Sequence, residues 1–151
     1  MRKQPALASN TTGILTVLSV SPLEEDHLTL QAILGHSAWV LFSARGLAPA
    51  SALLQQHEIS VLLCEDDLLP GTWIDMLENI RHLSHPPSLI VTSRLADERL
   101  WSEALNLGAW DVLAKPFDRK EVFRSVKSGW QKWYDQTQLR VAARDLMTAA
   151  S

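Results

Sequence analysis

Three consecutive carboxylates, Glu65, Asp66 and Asp67, directly follow a short apolar run that extends from Ile59 to Cys64. A run of this kind is typical of a strand that is buried on both faces of a parallel sheet. In open α/β sheets, ligands bind beyond the carboxyl ends of the strands. The sequence thus predicts carboxylate chemistry at this edge, although acids that follow a strand can also serve only to solvate a loop.

The elements that would position these acids alternate along the chain. Further apolar runs predict strands at 14–20, 39–42, 89–92 and 111–114. Helical patterns predict helices at 23–34, 50–56, 71–83 and 97–107, and a last helix from about residue 120 that Asp118 caps. Because apolar strands alternate with helices through short connections, the pattern predicts a three-layer α/β fold with a parallel five-stranded sheet.

Length and composition are those of one soluble domain. The net charge of −3 gives no indication of nucleic-acid binding, and no apolar run is long enough to span a membrane. The single cysteine, Cys64, lies within an apolar run and suits a reducing compartment, so we expect a cytoplasmic protein. We predict a flexible arm at 1–12, the domain at 13–134 and a helical extension at 135–151.

Two further positions narrow the fold to a family. Ser93 ends the fourth predicted strand, and Lys115 follows the fifth, 22 residues later. The pattern Gly-Ala-Xaa-Asp-Val-Leu-Xaa-Lys-Pro-Phe, residues 108–117, resembles the receiver domain of two-component response regulators. The resemblance covers about residues 13–133. It implies a doubly wound, flavodoxin-like sheet with strand order 2-1-3-4-5, and a phosphorelay signalling module that is not itself an enzyme.

The resemblance also implies a phosphoryl-transfer site. In the family, an aspartate after the third strand accepts the phosphoryl group, a lysine and a hydroxyl contact it, and two acids after the first strand help to bind Mg²⁺. Ser93 and Lys115 match the hydroxyl and the lysine. Counting along the strand favours Glu65 at the acceptor position, whereas counting back from Pro70 gives Asp66. Asp67 is a further candidate for the same pocket.

Other positions depart from the family pattern. Alignment on Pro22 places Ser19 and Val20 at the positions of the acid pair, and a shift by one places Leu18 and Ser19 there. Neither alignment supplies a carboxylate. Val112 occupies the position of the aromatic switch residue. The nearest acids, expected to be solvated in the first turn of the first helix, are Glu24, Glu25 and Asp26.

These departures predict an atypical receiver without Mg²⁺, held in one state by a Glu65–Lys115 ion pair and acting by protein–protein contact. The alternative is a working receiver that a histidine kinase phosphorylates on Asp66 or Asp67. Mg²⁺ would then be its cofactor, with Glu24, Glu65 or Asp67 as substitute ligands. A flavodoxin-like small-molecule binder is disfavoured, because no Gly-rich phosphate loop follows the first strand.

The last helix carries clustered aromatic residues, Trp130, Trp133 and Tyr134. Aromatic residues near a domain edge favour an interface, so we predict contact with a second copy or a partner there. The partner would be a signalling protein, either a histidine kinase or an output protein. The alternative is that this segment is only a frayed helical extension.

Overall fold

The structure, a computed structural model, describes residues 14–150 of the chain, so the predicted arm at 1–12 lies outside the described residues. Five strands form the sheet: β1 (Thr16–Val20), β2 (Val40–Ala44), β3 (Val61–Glu65), β4 (Ser88–Ser93) and β5 (Asp111–Ala114). Five helices alternate with them: α1 (Glu24–Leu34), α2 (Leu47–Gln56), α3 (Trp73–Ile80), α4 (Glu98–Leu107) and α5 (Arg119–Ala150). Within residues 14–150, no helix has the length and apolar character needed to cross a membrane.

The sheet is parallel and has the order β2-β1-β3-β4-β5, which confirms the predicted fold. Alternate side chains of each strand enter two cores. One core contains Leu18, Leu62 and Val91 and packs beneath α2, α3 and α4, whereas the other contains Val17 and Leu63 and packs beneath α1 and α5. Because all five strands run in the same direction, their carboxyl ends meet at one edge.

Gly108 ends α4 in the left-handed conformation, with φ of 111°. A Cβ atom at this position would have room, since the nearest heavy atom outside the flanking residues, Nη2 of Arg81, would be 3.9 Å away. The strain of a side chain there therefore comes from the backbone. We expect Gly108→Ala to lower the free energy of unfolding by about 1 kcal/mol, measured by urea denaturation.

Gly46→Ala is the matched control for that substitution. Gly46 has φ of −173°, which any residue adopts, and an added Cβ would meet no atom within 4 Å. An equal loss of stability in the two variants would contradict the assignment of strain to Gly108.

The helix α5 continues without interruption from Arg119 to Ala150 and passes through the predicted boundary at 134/135, which stays a prediction. The prediction that Trp133 forms part of an interaction surface is wrong. Its side chain is 2% exposed, and the indole Nε1 donates a hydrogen bond to the carbonyl oxygen of His85 at 3.3 Å. Trp130 and Tyr134 are half-buried and stack at 5.2 Å between ring centroids.

Candidate functional site

A buried lysine lies between two carboxylates at the carboxyl edge of the sheet. Nζ of Lys115 is 3.0 Å and 2.9 Å from the two carboxylate oxygens of Asp26, and 2.8 Å from Oε1 of Glu65. Asp26, Glu65 and Lys115, hereafter the Lys115 cluster, are respectively 5%, 8% and 9% exposed. The predicted Glu65–Lys115 contact is thus present, together with a second carboxylate that was not predicted to take part.

Three different elements bring the Lys115 cluster together. Glu65 is the last residue of β3, Lys115 follows β5, and Asp26 lies in the first turn of α1. The expectation that Asp26 is solvated is wrong, whereas Glu24 and Glu25 are indeed exposed. The burial of Asp26 could have been predicted from the helical pattern. Asp26 stands four residues before the core residue Leu30 and therefore lies on the buried face of α1.

Hydroxyl groups hold the two carboxylates in place. The Ser21 hydroxyl donates to Oδ2 of Asp26 at 2.6 Å, and the Thr92 hydroxyl donates to Oε1 of Glu65 at 2.9 Å. Hydrogen bonds to a carboxylate satisfy oxygen lone pairs that burial removes from water. The cluster is therefore a fixed network. Neither hydroxyl group was predicted: Ser21 is five residues before Asp26, and Thr92 is 27 residues after Glu65.

His27 ties the end of β1 to α1. Its Nε2 lies 2.9 Å from the carbonyl oxygen of Ser21, and its Nδ1 lies 2.9 Å from the hydroxyl of Ser19. A carbonyl can only accept, so Nε2 carries the proton, and in the neutral ring Nδ1 accepts from Ser19. The side chain of Ser19, one of the two positions predicted for the acid pair, is thereby directed to a histidine.

The pKa values of the cluster reflect its burial. Desolvation raises the pKa of Glu65 above its ordinary value, against the opposing effect of the hydrogen bonds from Lys115 and Thr92. Desolvation lowers the pKa of Lys115, but its hydrogen bonds to Glu65 and Asp26 outweigh this, so its pKa is raised overall. The lysine is therefore held as an ammonium ion, while Glu65 takes up a proton at a higher pH than an ordinary glutamate.

The remaining acids of the predicted site form their hydrogen bonds with groups other than Lys115. The Ser93 hydroxyl donates to Oδ2 of the half-buried Asp66 at 2.8 Å and accepts from the backbone N–H of Leu95 at 2.9 Å. Asp67 is exposed, and its carboxylate accepts from the backbone N–H of Leu69 at 3.2 Å. Ser93 is therefore paired with Asp66, whereas Lys115 is paired with Glu65.

The residues at the expected metal positions do not fit Mg²⁺. Val20 packs in the core beneath α2 and α3, and Ser19 bonds to His27. The two nearest buried carboxylates already surround the ammonium of Lys115, and a hard cation needs several free oxygen ligands. Among residues 14–150, no group of three or more His, Cys, Asp or Glu side chains is placed to hold a metal. Val112, at the predicted switch position, is buried in the same core as Val20.

Comparison with known proteins extends these observations. The family model described as the response regulator receiver domain matches residues 25–127, a range that includes Glu65, Ser93 and Lys115. The chain belongs to the response regulator receiver family. The match begins after β1 and so leaves out Ser19 and Val20, the two positions predicted for the acid pair.

Curated relatives of this chain are transcriptional regulatory proteins. The transcriptional regulatory protein DpiA of Escherichia coli (strain K12) is 28% identical over 83% of this chain, and the chain spans 62% of its length. DpiA of Shigella flexneri shows the same values.

Among solved structures, the signal receiver domain of an HD domain-containing protein from Pseudomonas fluorescens Pf-5 has a TM-score of 0.75 at 22% identity. That similarity covers 82% of this chain and 92% of the other. The receiver domain of a putative LuxO repressor from Vibrio parahaemolyticus also has a TM-score of 0.75, at 17% identity, over 83% and 96% of the two chains. At these identities the structures show the fold.

Proposed function

We propose that this receiver domain signals by protein–protein contact in a single state that the Lys115 cluster maintains without phosphate. The observation that carries the proposal is the position of the Lys115 ammonium, within 3.0 Å of both Asp26 and Glu65. Breaking a buried ion pair of this kind leaves an uncompensated charge and is strongly unfavourable.

The cluster would compete with a phosphoryl group for the same lysine. In the family, the lysine pairs with phosphoryl oxygens, but here its donors are directed to two carboxylates. Glu65 is one methylene longer than aspartate and carries its negative charge to the lysine without modification. Because Ser19 and Val20 supply no carboxylate, the metal ion that would offset the charge of an incoming phosphate also lacks ligands.

A second candidate function rests on one observation. Asp66 is half-buried and accepts a hydrogen bond from Ser93, the residue that matches the family's phosphoryl-binding hydroxyl. Under this alternative, a histidine kinase phosphorylates Asp66, and Ser93 turns to the phosphoryl oxygens. The alternative has to supply Mg²⁺ ligands from Glu24, Glu65 or Asp67, and Glu65 is already paired with Lys115.

Incubation with acetyl phosphate and Mg²⁺ distinguishes the two functions. We expect no phosphoryl adduct in the intact mass and no saturable change in tryptophan fluorescence with beryllofluoride, because the lysine is occupied and the acid pair is absent. A receiver domain that is known to become phosphorylated is treated in parallel, as a control for the activity of the reagents. Stoichiometric labelling that maps to Asp66, and that Asp66→Asn abolishes, would instead establish the working receiver.

The proposed contact partners follow from the family. A cytoplasmic histidine kinase or an output protein would bind the domain surface. The named relatives are transcriptional regulatory proteins of which this chain spans 62%, so an output of that kind is consistent with them.

A further inference from the structure

A cavity of about 300 Å³ opens at the amino edge of the sheet, opposite the Lys115 cluster. The end of α2 and the connection to β3 form one wall, and the connection between α3 and β4 forms the other. We call it the amino-edge pocket. Its volume lies at the lower end of the range for small-molecule sites.

The lining of the amino-edge pocket combines an apolar part with several polar side chains. The apolar part consists of Leu54, Ile59, Leu83 and Pro87. The carboxylate of Glu58 stands at the rim. Partial burial raises the pKa of Glu58, an effect that the nearby His85 opposes. A cationic ligand would favour the ionised carboxylate, because an opposite charge offsets the cost of desolvation.

His85, on the opposite wall from Glu58, has a polar atom without a hydrogen-bond partner. Its Nδ1 is buried and has no hydrogen-bond partner in the part of the chain that the structure describes. A buried acceptor or donor without a partner is unfavourable, so a ligand group that reached Nδ1 would gain a hydrogen bond. Glu58 and His85 thus present two polar groups beside an apolar surface.

We propose that the amino-edge pocket binds a small organic cation. Its apolar group would pack against Leu54, Ile59 and Leu83, and its cationic N–H groups would donate to Glu58 and to His85. The site is separate from the Lys115 cluster, so the proposal goes beyond the proposed function and does not depend on it.

The pocket is joined to the last helix through His85. The backbone carbonyl of His85 accepts the hydrogen bond from the indole of Trp133, a buried residue of α5. A ligand that shifts the loop around His85 would therefore change the environment of Trp133. Ligand binding in the pocket would thus affect α5 through the hydrogen bond between His85 and Trp133, without phosphorylation.

Benzamidine and its neutral isostere benzamide test the proposal, because they differ chiefly in charge. Titration of each into ¹⁵N-labelled protein should move the signals of Glu58, Ser84, His85 and the Trp133 indole N–H. We expect benzamide to bind about threefold more weakly than benzamidine, as for a partly exposed ion pair. Glu58→Gln should weaken benzamidine binding by a similar factor.

Glu98→Gln, which alters an exposed acid at the start of α4, is the matched control and should leave benzamidine binding unchanged. Circular dichroism of both variants verifies that they are folded. Equal affinities for benzamidine and benzamide would overturn the proposal, as would shifts confined to the edge around Lys115. Neither result bears on labelling by acetyl phosphate, so failure here and failure of the proposed function are distinguishable.

Discussion

Lys115→Met is expected to lower the free energy of unfolding by about 3 to 5 kcal/mol, the range for removing one partner of a buried ion pair. Methionine matches the length of the lysine stem but leaves the carboxylates of Asp26 and Glu65 buried without a counter-charge. Urea denaturation followed by circular dichroism measures the effect. The control is Lys127→Met at an exposed position of α5, where a change within about 0.5 kcal/mol is expected.

The pH dependence of this effect has a definite sign. The folded-state pKa of Lys115 is raised above the ordinary value of 10.5. Its contribution to stability is therefore complete below pH 10.5 and is lost as the pH rises through the higher folded-state pKa. The difference in stability between the natural protein and Lys115→Met should shrink over that alkaline range. A difference that stays constant there would show that the ammonium charge is not the cause.

A further variant separates charge from packing. Combining Lys115→Met with Asp26→Asn and Glu65→Gln removes all three charges while retaining the shapes of the side chains. Replacement of a whole buried ion pair is often neutral, whereas removal of one partner is not. We therefore expect the triple variant to recover much of the stability that the single variant loses. Failure to recover would assign the loss to packing around the lysine stem.

The sheet and its order were predictable because each strand is a local apolar run, and local runs need no knowledge of distant residues. Element ends were less accurate. The second strand was expected at 39–42, yet β2 is Val40–Ala44, since its register is set by pairing with β1 from Thr16↔Val40 to Val20↔Ala44. The second helix was expected at 50–56 but begins at Leu47, because Pro49 is tolerated in a first helical turn.

The candidate site was only partly predictable for a different reason. Glu65, Ser93 and Lys115 follow strands, so topology alone places them at one edge. The pairing of Asp26 with Lys115 joins residues 89 apart in the sequence and depends on how α1 docks on the sheet. The burial of Asp26 and His27 was nevertheless encoded locally, since both share the helical face of Leu30 and Ile33. A charged residue on a buried helical face indicates a buried partner elsewhere in the chain.

Trp133→Ala is expected to lower the free energy of unfolding by about 3 to 5 kcal/mol, because it leaves a large cavity beneath α5. Trp133→Phe should cost less, since it retains most of the apolar contact and loses the hydrogen bond to His85. Trp101→Ala, at a position that is 38% exposed, is the surface control and should have a small effect. Urea denaturation supplies all three values.

Sedimentation of the same variants separates a core role from an interface role for Trp133. If its aromatic ring belongs to the core, Trp133→Ala changes stability, and Trp133→Phe leaves the association state of the natural protein unchanged. A variant that remained stable but altered that state would return Trp133 to an interaction surface. We expect a core role because the indole of Trp133 is buried and bonds to the loop of His85. On the solvent-facing side of α5, Leu139 and Leu146 are 70% and 72% exposed. An interface on α5 would therefore use those two leucines. They follow the aromatic residues at which the sequence pattern predicted the interface.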